Sequence, residues 1–336
     1  MLSLLARPLG RVVVALVVLV VAVGLWFAWQ VHPLTGPGPE VIVSVAPGES
    51  LSTLAGDLEA KGVIGSAFAF RLDTALLGGV SLSEGTYQIR RNSSFAEVKS
   101  VFGNVPNVNV IDVSPGLSLR EVANEVASDV GTTFANRFSA DVDAAARRSP
   151  FHPNGSLEGL IGPGSYLLAP GESAGTLVAK MVKKFDAEAT RLGLTPSTSV
   201  DGLDAYQLVI AASIVEKEGY YPVNMPDVAR VIYNRLARGG PLQMDATVLY
   251  YLHRDGGTVT PAMLQTQEPY NTYLNVGLTP TPICTVSKYS LDAVLHAPKG
   301  PWLYFTLINK DGREAFATTF AQQLANEAKA RARGLA

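Results

Sequence analysis

Glu216 and Glu218 close the stretch LVIAASIVEKEGYYP, residues 208–222. Carboxyl groups placed there can act as general acid and base. Eight uncharged residues, Leu208 to Val215, lead into them. A carboxyl on the end of an apolar helix is partly desolvated, which raises its pKa and holds its proton near neutral pH. The C-terminal end of a helix disfavours negative charge, which acts in the same sense. Two residues apart, the carboxyls point about 200° from one another around a helix. They are therefore not expected to face one cleft together. Glu218 shares a stripe with Ala211, Ile214 and Val215, and Glu216 shares one with Val209, Ala212 and Ser213. Both stripes are apolar, so amphipathicity does not choose between the two. Two solvated glutamates separated by Lys217 fit the same pattern.

The rest of the composition narrows the chemistry. The chain has 336 residues and a net charge of −2, which offers nucleic acid no basic surface. Its four histidines, His32, His152, His253 and His296, are scattered and form no HExxH pair, so no metal site is expected. The single cysteine, Cys284, has no internal disulfide partner and reads as a small buried residue.

Several elements must position these groups. Val12 to Val31 is an uncharged run of twenty residues. At 1.5 Å per residue it spans about 30 Å, the depth of the hydrocarbon layer. Arg7 and Arg11 precede it, and Trp26 and Trp29 lie near its end. Positive residues stay cytoplasmic and tryptophan favours the interface. A cleaved signal peptide would end in small residues, unlike Leu25-Trp26-Phe27-Ala28-Trp29. The expectation is a single-pass plasma-membrane protein with residues 1–11 in the cytoplasm, a span over 12–31 and the remainder outside. Residues 32–40, HPLTGPGPE, form a Pro/Gly linker.

A weak repeat follows. VIVSVAPGESLSTLAGDL (41–58) aligns with VNVIDVSPGLSLREVANEV (108–126). Each reads as strand, Pro-Gly turn, serine cap and helix, and Ser118 with Glu121 makes a capping box. SAFAFRLDTALLGG then reads as a second helix and GTYQIRR as a closing strand, giving the order βααβ. That order, with PGESLSTLA near its start, resembles the LysM domain, which binds GlcNAc-containing glycan. A LysM-like domain is placed at 41–105, and the second strand–helix copy with a polar connector at 106–150. From 151 to 336 the pattern is a second α+β domain. It has helices over 174–194, 204–218 and 225–239, a hairpin around Asn309-Lys310-Asp311-Gly312, and a closing helix.

Four ordered motifs carry a more specific likeness. ASIVEKE is followed by VARVIYNRLARGGPLQMDATVLY, then YNTYLNVGLTPTPI, then SLDAVLHAPKGPWLYF, with LEGLIGPGSYLLAPGES upstream. Together they resemble the endolytic murein transglycosylase (YceG-like) family. The resemblance implies an enzyme, a peptidoglycan lytic transglycosylase, with a lysozyme-like active-site helix and no cofactor or metal. It implies cleavage of the MurNAc-β-1,4-GlcNAc bond inside glycan strands, leaving 1,6-anhydro-MurNAc ends and terminating nascent strands. It implies Glu218, the second glutamate of EKE, as the catalytic residue. Implied partners are glycan strands, the cytoplasmic membrane and peptidoglycan synthases.

The other motif residues suit a sugar cleft. Glu158, Gln243, Asp245, Asn271 and Thr272 offer amide, carboxylate and hydroxyl groups for sugar hydroxyls and acetamides, and Tyr273 a face for a pyranose ring. Asn234 and Arg235 are assigned to bracing the Glu218 helix. Leu160, Gly164, Ala246 and Thr285-Val286-Ser287 depart from the family pattern, which has an aromatic, an aspartate, a proline and an Asn-Pro-Gly turn there. Two other readings are a non-catalytic, membrane-anchored glycan-binding scaffold and a water-using muramidase. The muramidase needs a second carboxylate, for which Asp245 and Glu216 are the motif candidates.

Overall fold

A computed structural model describes residues 8–144, 149–152, 155–219 and 221–335. Arg7 and the polar connector's residues 145–148 lie outside them. The described chain folds into two compact units, residues 1–110 with 167–171, and residues 111–166 with 172–336.

The first unit begins with α1 (Pro8–Val31), in which Gly10–Val31 is long and apolar enough to cross a membrane. It continues through β1 (Glu40–Val45), α2 (Leu51–Ala60), α3 (Ala67–Leu77), β2 (Gly85–Arg90) and α4 (Phe95–Phe102). The expected βααβ order is present, and α4 extends it. Alternation in EVIVSV makes β1 a half-buried strand, and it pairs antiparallel with β2, Val43 opposite Tyr87. Serine hydroxyls of Ser50, Ser66 and Ser94 accept the N–H three residues on and start the three helices after β1. Val43, Leu54, Leu58, Phe70, Tyr87, Phe95 and Phe102 form the core. Phe27 and Val31 of α1 pack against it.

β3 (Asn109–Val113) and β4 (Gly164–Leu168) pair with each other, with α5 (Leu119–Val130) and α6 (Thr132–Asp143) between them in sequence. The capping box of Ser118 and Glu121 forms as expected. The second unit continues with α7 (Ala174–Arg191), β5 (Ser199–Val200), β6 (Leu203–Asp204), α8 (Ala205–Glu218), α9 (Met225–Ala237), α10 (Asp245–Tyr251), α11 (Pro261–Leu264), α12 (Lys288–Leu295), β7 (Tyr304–Leu307), β8 (Glu314–Ala317) and α13 (Phe320–Ala332).

The units divide the chain differently from the expected boundaries. Of the segment 106–150, read as the second strand–helix copy with its connector, the described residues from Ile111 onward cluster with the second unit. Long-range bonds explain why. Gly116 N–H donates to Thr285 O, Thr285 N–H donates to Leu117 O, and the Thr285 hydroxyl donates to Ser114 O. α6 packs on α7, whose Leu177, Met181 and Phe185 are buried. Thr285, a departure from the family pattern, is thus a joint between distant segments.

α8 is the axis of the second unit. Its residues from Leu208 to Val215 are buried all round. It packs against α9, α10 and α12. Asp204 and Gln207 cap its start reciprocally. At its end Gly219 lets Met225 approach, since a Cβ there would lie 2.8 Å from Met225 Cγ.

Candidate active site

The end of α8 brings three consecutive side chains to the surface, each with different partners. Glu216 Oε2 accepts the N–H of Ser287 at 2.8 Å, just ahead of α12. Lys217 Nζ pairs with Asp255 at 2.6 Å and donates to Gly116 O at 3.1 Å. Glu218 Oε1 accepts the N–H of Ala246, in the first turn of α10, at 3.1 Å. Burial raises the Glu218 pKa from 4.5 to about 7, against the Ala246 hydrogen bond. The charge of Asp245 adds to the rise and Arg235 opposes it. A carboxyl poised near 7 can both give and take a proton at neutral pH.

Two depressions meet at Glu218. One, about 430 Å³, is lined by Glu218, Arg235, Gln243, Asp245, Tyr273, Tyr304 and Phe320, among others. The other, about 350 Å³, is lined by Glu216, Lys217, Glu218, Asp245, Arg254 and Asp255, among others. Glu218 and Asp245 belong to both. The first depression holds Glu218 without Glu216, in line with the angular separation. The second wraps the helix end itself and so touches both glutamates, which the angle alone excluded.

The sequence-predicted residues separate into three groups. Gln243, Asp245 and Tyr273 stand in the cleft beside Glu218. The Tyr273 hydroxyl donates to Asp245 Oδ1 at 2.6 Å. Gln243 adopts a left-handed backbone, φ 53, uncommon for a residue with a side chain. Asn271 and Thr272 do not line the cleft; they are 0 and 1% exposed. They hold the loops that do. Thr272 O and Oγ1 accept the N–H groups of Gln243 and Met244 at 2.9 and 3.0 Å. Asn271 Oδ1 accepts the Tyr273 N–H at 3.0 Å, while its amide donates to Leu264 O and Thr266 O. Glu158 lies apart, buried, accepting the Leu119 N–H at 3.0 Å and the Tyr250 hydroxyl at 2.9 Å. Burial raises its pKa to about 7. Its role here is to cap α5.

Arg235, assigned from the sequence to bracing, and Phe320, which carried no sequence signal, also line the cleft. Arg235 donates to Leu303 O and Leu242 O and lies over the Tyr304 ring at 5.7 Å. It braces the segment ahead of β7 and also lines the cleft. Asn234 holds Gly300 O and Trp302 O at 2.9 and 2.7 Å. Phe320, 60% exposed at the start of α13, presents a ring to the same depression. Glu314 on β8 feels the charges of Glu218 and Asp227, after burial, and its pKa rises to about 7.

The motifs meet at α8. Ser213 Oγ accepts the Ile283 N–H at 3.0 Å, joining ASIVEKE to the end of YNTYLNVGLTPTPI. The buried Cys284 thiol donates to Ser213 O at 3.3 Å, and burial pushes its pKa up.

This architecture has counterparts. The model of the YceG-like family matches residues 43–329. The chain is 28% identical over 306 residues to the endolytic murein transglycosylase of Bacillus subtilis, covering 86% of this chain and 84% of that protein. It is 24% identical over 310 residues to a Streptococcus pneumoniae protein of the same name, covering 82% of this chain and 56% of that one. Among solved structures it is similar to a YceG-like protein of Listeria monocytogenes, with a TM-score of 0.52 and 25% identity over 86% of this chain and 99% of that chain.

Proposed function

Because the chain belongs to the YceG-like family, we propose that it is a peptidoglycan lytic transglycosylase that cuts the MurNAc-β-1,4-GlcNAc bond within glycan strands, with Glu218 as the catalytic acid and base. The observation that carries this reading is the pair of open depressions sharing Glu218. A bond inside a strand needs sugar on both sides of the acid, and both sides are open.

In the first step Glu218, protonated because burial has raised its pKa to about 7, gives its proton to the GlcNAc O4 as the C1–O4 bond of MurNAc breaks. In the second, the Glu218 carboxylate takes the proton of the MurNAc C6 hydroxyl as O6 bonds to C1. The product is a 1,6-anhydro ring, the acid is regenerated, and no water is consumed. One carboxyl suffices, in contrast with ordinary glycosidases. Gln243 and Asp245 supply polar contacts for sugar, and Tyr273, Tyr304 and Phe320 supply stacking faces. Asn271 and Thr272 serve by holding Gln243 and Tyr273 in place. Arg235 counters the negative charge that forms on Glu218. The axial, lysozyme-like role of α8 fits this scheme.

Around this chemistry we place the remaining parts. α1 anchors the protein in the cytoplasmic membrane with its N-terminus inside, and the second unit acts on the wall side. The βααβ segment of the first unit acts as a LysM-like glycan holder, and the cut ends strand growth beside the synthases.

Asp245, beside Glu218, favours a second reading as a hydrolase with two carboxylates. Digestion of purified glycan strands separates the two. Anhydro ends, one water lighter than hydrolysis products, support the lyase. Reducing ends support the hydrolase, and intact strands with bound protein support a scaffold.

A further inference from the structure

The outward face of α3 is apolar. Phe68, Leu72 and Leu76 recur at the spacing of one helical stripe and are 62, 39 and 70% exposed, with Leu77 at 74% beside them. Arg71 is the one charge on this face. The acid of the helix, Asp73, is buried and paired with Lys99 at 2.6 Å. A surface helix bathed in water shows the opposite polarity, with charged residues outward. An apolar outward face with a single cation is the pattern of a helix lying in a membrane interface.

The neighbour of α3 is the candidate membrane helix. α1 packs against α3. Gln30 stands so close to Gly65, just ahead of α3, that a Cβ there would lie 2.3 Å from its Oε1. Phe27 and Val31 are taken up by the core of the same unit. Apart from these contacts α1 is exposed from Val12 to Trp26 and again at Trp29, which is 52% exposed, so the uncovered apolar stretch reaches almost to the end of the helix. From Val12 to Trp29 it measures about 27 Å at 1.5 Å per residue, close to a hydrocarbon layer of about 30 Å. A span of that length brings the protein packed on its end, α3 included, to the level of the headgroups. The flanking protein here offers an apolar face.

We propose that the first unit is seated in the leaflet from which α1 emerges. In this arrangement Phe68, Leu72, Leu76 and Leu77 lie at the boundary of headgroups and acyl chains, and Arg71 at headgroup level. The inference rests on α1 being a membrane span. It ties the first unit to the bilayer by a second contact besides the helix.

The test uses the full chain in lipid bilayers. The native Cys284 is buried, so single cysteines can be labelled with an environment-sensitive fluorophore. Four variants are compared, Phe68→Cys, Leu76→Cys, Glu59→Cys on the exposed side of α2, and Val20→Cys within the span. Lipids carrying nitroxide near the headgroup or deep in the chain serve as quenchers. We expect the probes at 68 and 76 to be quenched by the shallow nitroxide at least threefold more than the probe at 59, and the probe at 20 by the deep one. Probes at 68 and 76 that match 59 while 20 is quenched would overturn the seating. An unquenched probe at 20 would overturn the span itself. A probe at 76 that ignores lipid and shifts to the blue on adding soluble glycan oligosaccharides would assign the face to the wall instead and sink the proposal.

Discussion

The N–H of Ala246 donates to the carboxyl of Glu218 at 3.1 Å. In the family pattern that this sequence resembles, proline stands at this place, and proline has no N–H to give. A donor to the ionised form lowers a carboxyl pKa, so this bond opposes the burial that raises it. Ala246→Pro should fold, because the first turn of a helix tolerates proline. The Glu218 pKa should then rise, and the alkaline fall in kcat/KM should move to higher pH. An unmoved pH profile in a folded variant would show that the bond does not tune the acid.

Glu218→Gln removes the exchangeable proton and keeps an acceptor for Ala246. Cleavage of glycan strands should fall on the order of 10²-fold to 10⁴-fold, the usual scale of general acid catalysis. Strand binding should persist. Retained cleavage at equal folding would remove Glu218 from the chemistry.

Glu216→Ala leaves the Ser287 N–H without its acceptor and trims the second depression, while the first, which holds Glu218 with Gln243, Asp245 and Tyr273, keeps its lining. Stability should drop by about 1–3 kcal/mol, the scale for an unsatisfied buried donor. Activity below the melting range should stay within a few-fold of the wild type. Chemical denaturation and strand digestion on the same sample read both. An inactive but fully stable variant would reverse the assignment of the two glutamates.

Glu158 is buried and its pKa is raised from 4.5 to about 7. The folded state therefore binds its proton more tightly than the unfolded chain. The stability this group contributes is greatest below the unfolded value near 4.5. It declines as pH rises and levels off above about 7, a total on the order of 3 kcal/mol. Glu158→Gln should remove this share of the slope, making the variant relatively more stable at pH 8 than at pH 4.5. Unfolding curves at the two pH values check it. Equal slopes in variant and wild type would show that Glu158 titrates normally.

Much of this architecture is written locally. The βααβ order, α7 to α9 and the C-terminal hairpin follow from alternation, helical spacing and Gly/Pro turns. The capping box at Ser118 was legible because its two partners are three residues apart. The site was legible only in part, because long-range contacts decide which polar residues reach the surface. Asn271 and Thr272 look like sugar ligands by type. They are spent instead on the N–H and C=O groups of neighbouring turns, a need that appears only when the loops are folded together. Phe320 reads as an ordinary helix start until the hairpin sets it beside Tyr304, with ring centres 6.0 Å apart. Thr285 and Glu158 reach back across more than a hundred residues and about forty respectively, contacts that no local pattern displays.

The depressions on either side of Glu218 also set how a polymer can arrive. Neither one closes over its contents, so a strand can be laid in from the side and lifted out the same way, with no free tip to thread. Under the proposed chemistry, the described residues lining the two depressions leave both sides of Glu218 open to a strand. The enzyme's cuts would then fall by encounter along the polymer, and the spread of fragment sizes would reflect where the strand touches the protein rather than how far it has slid.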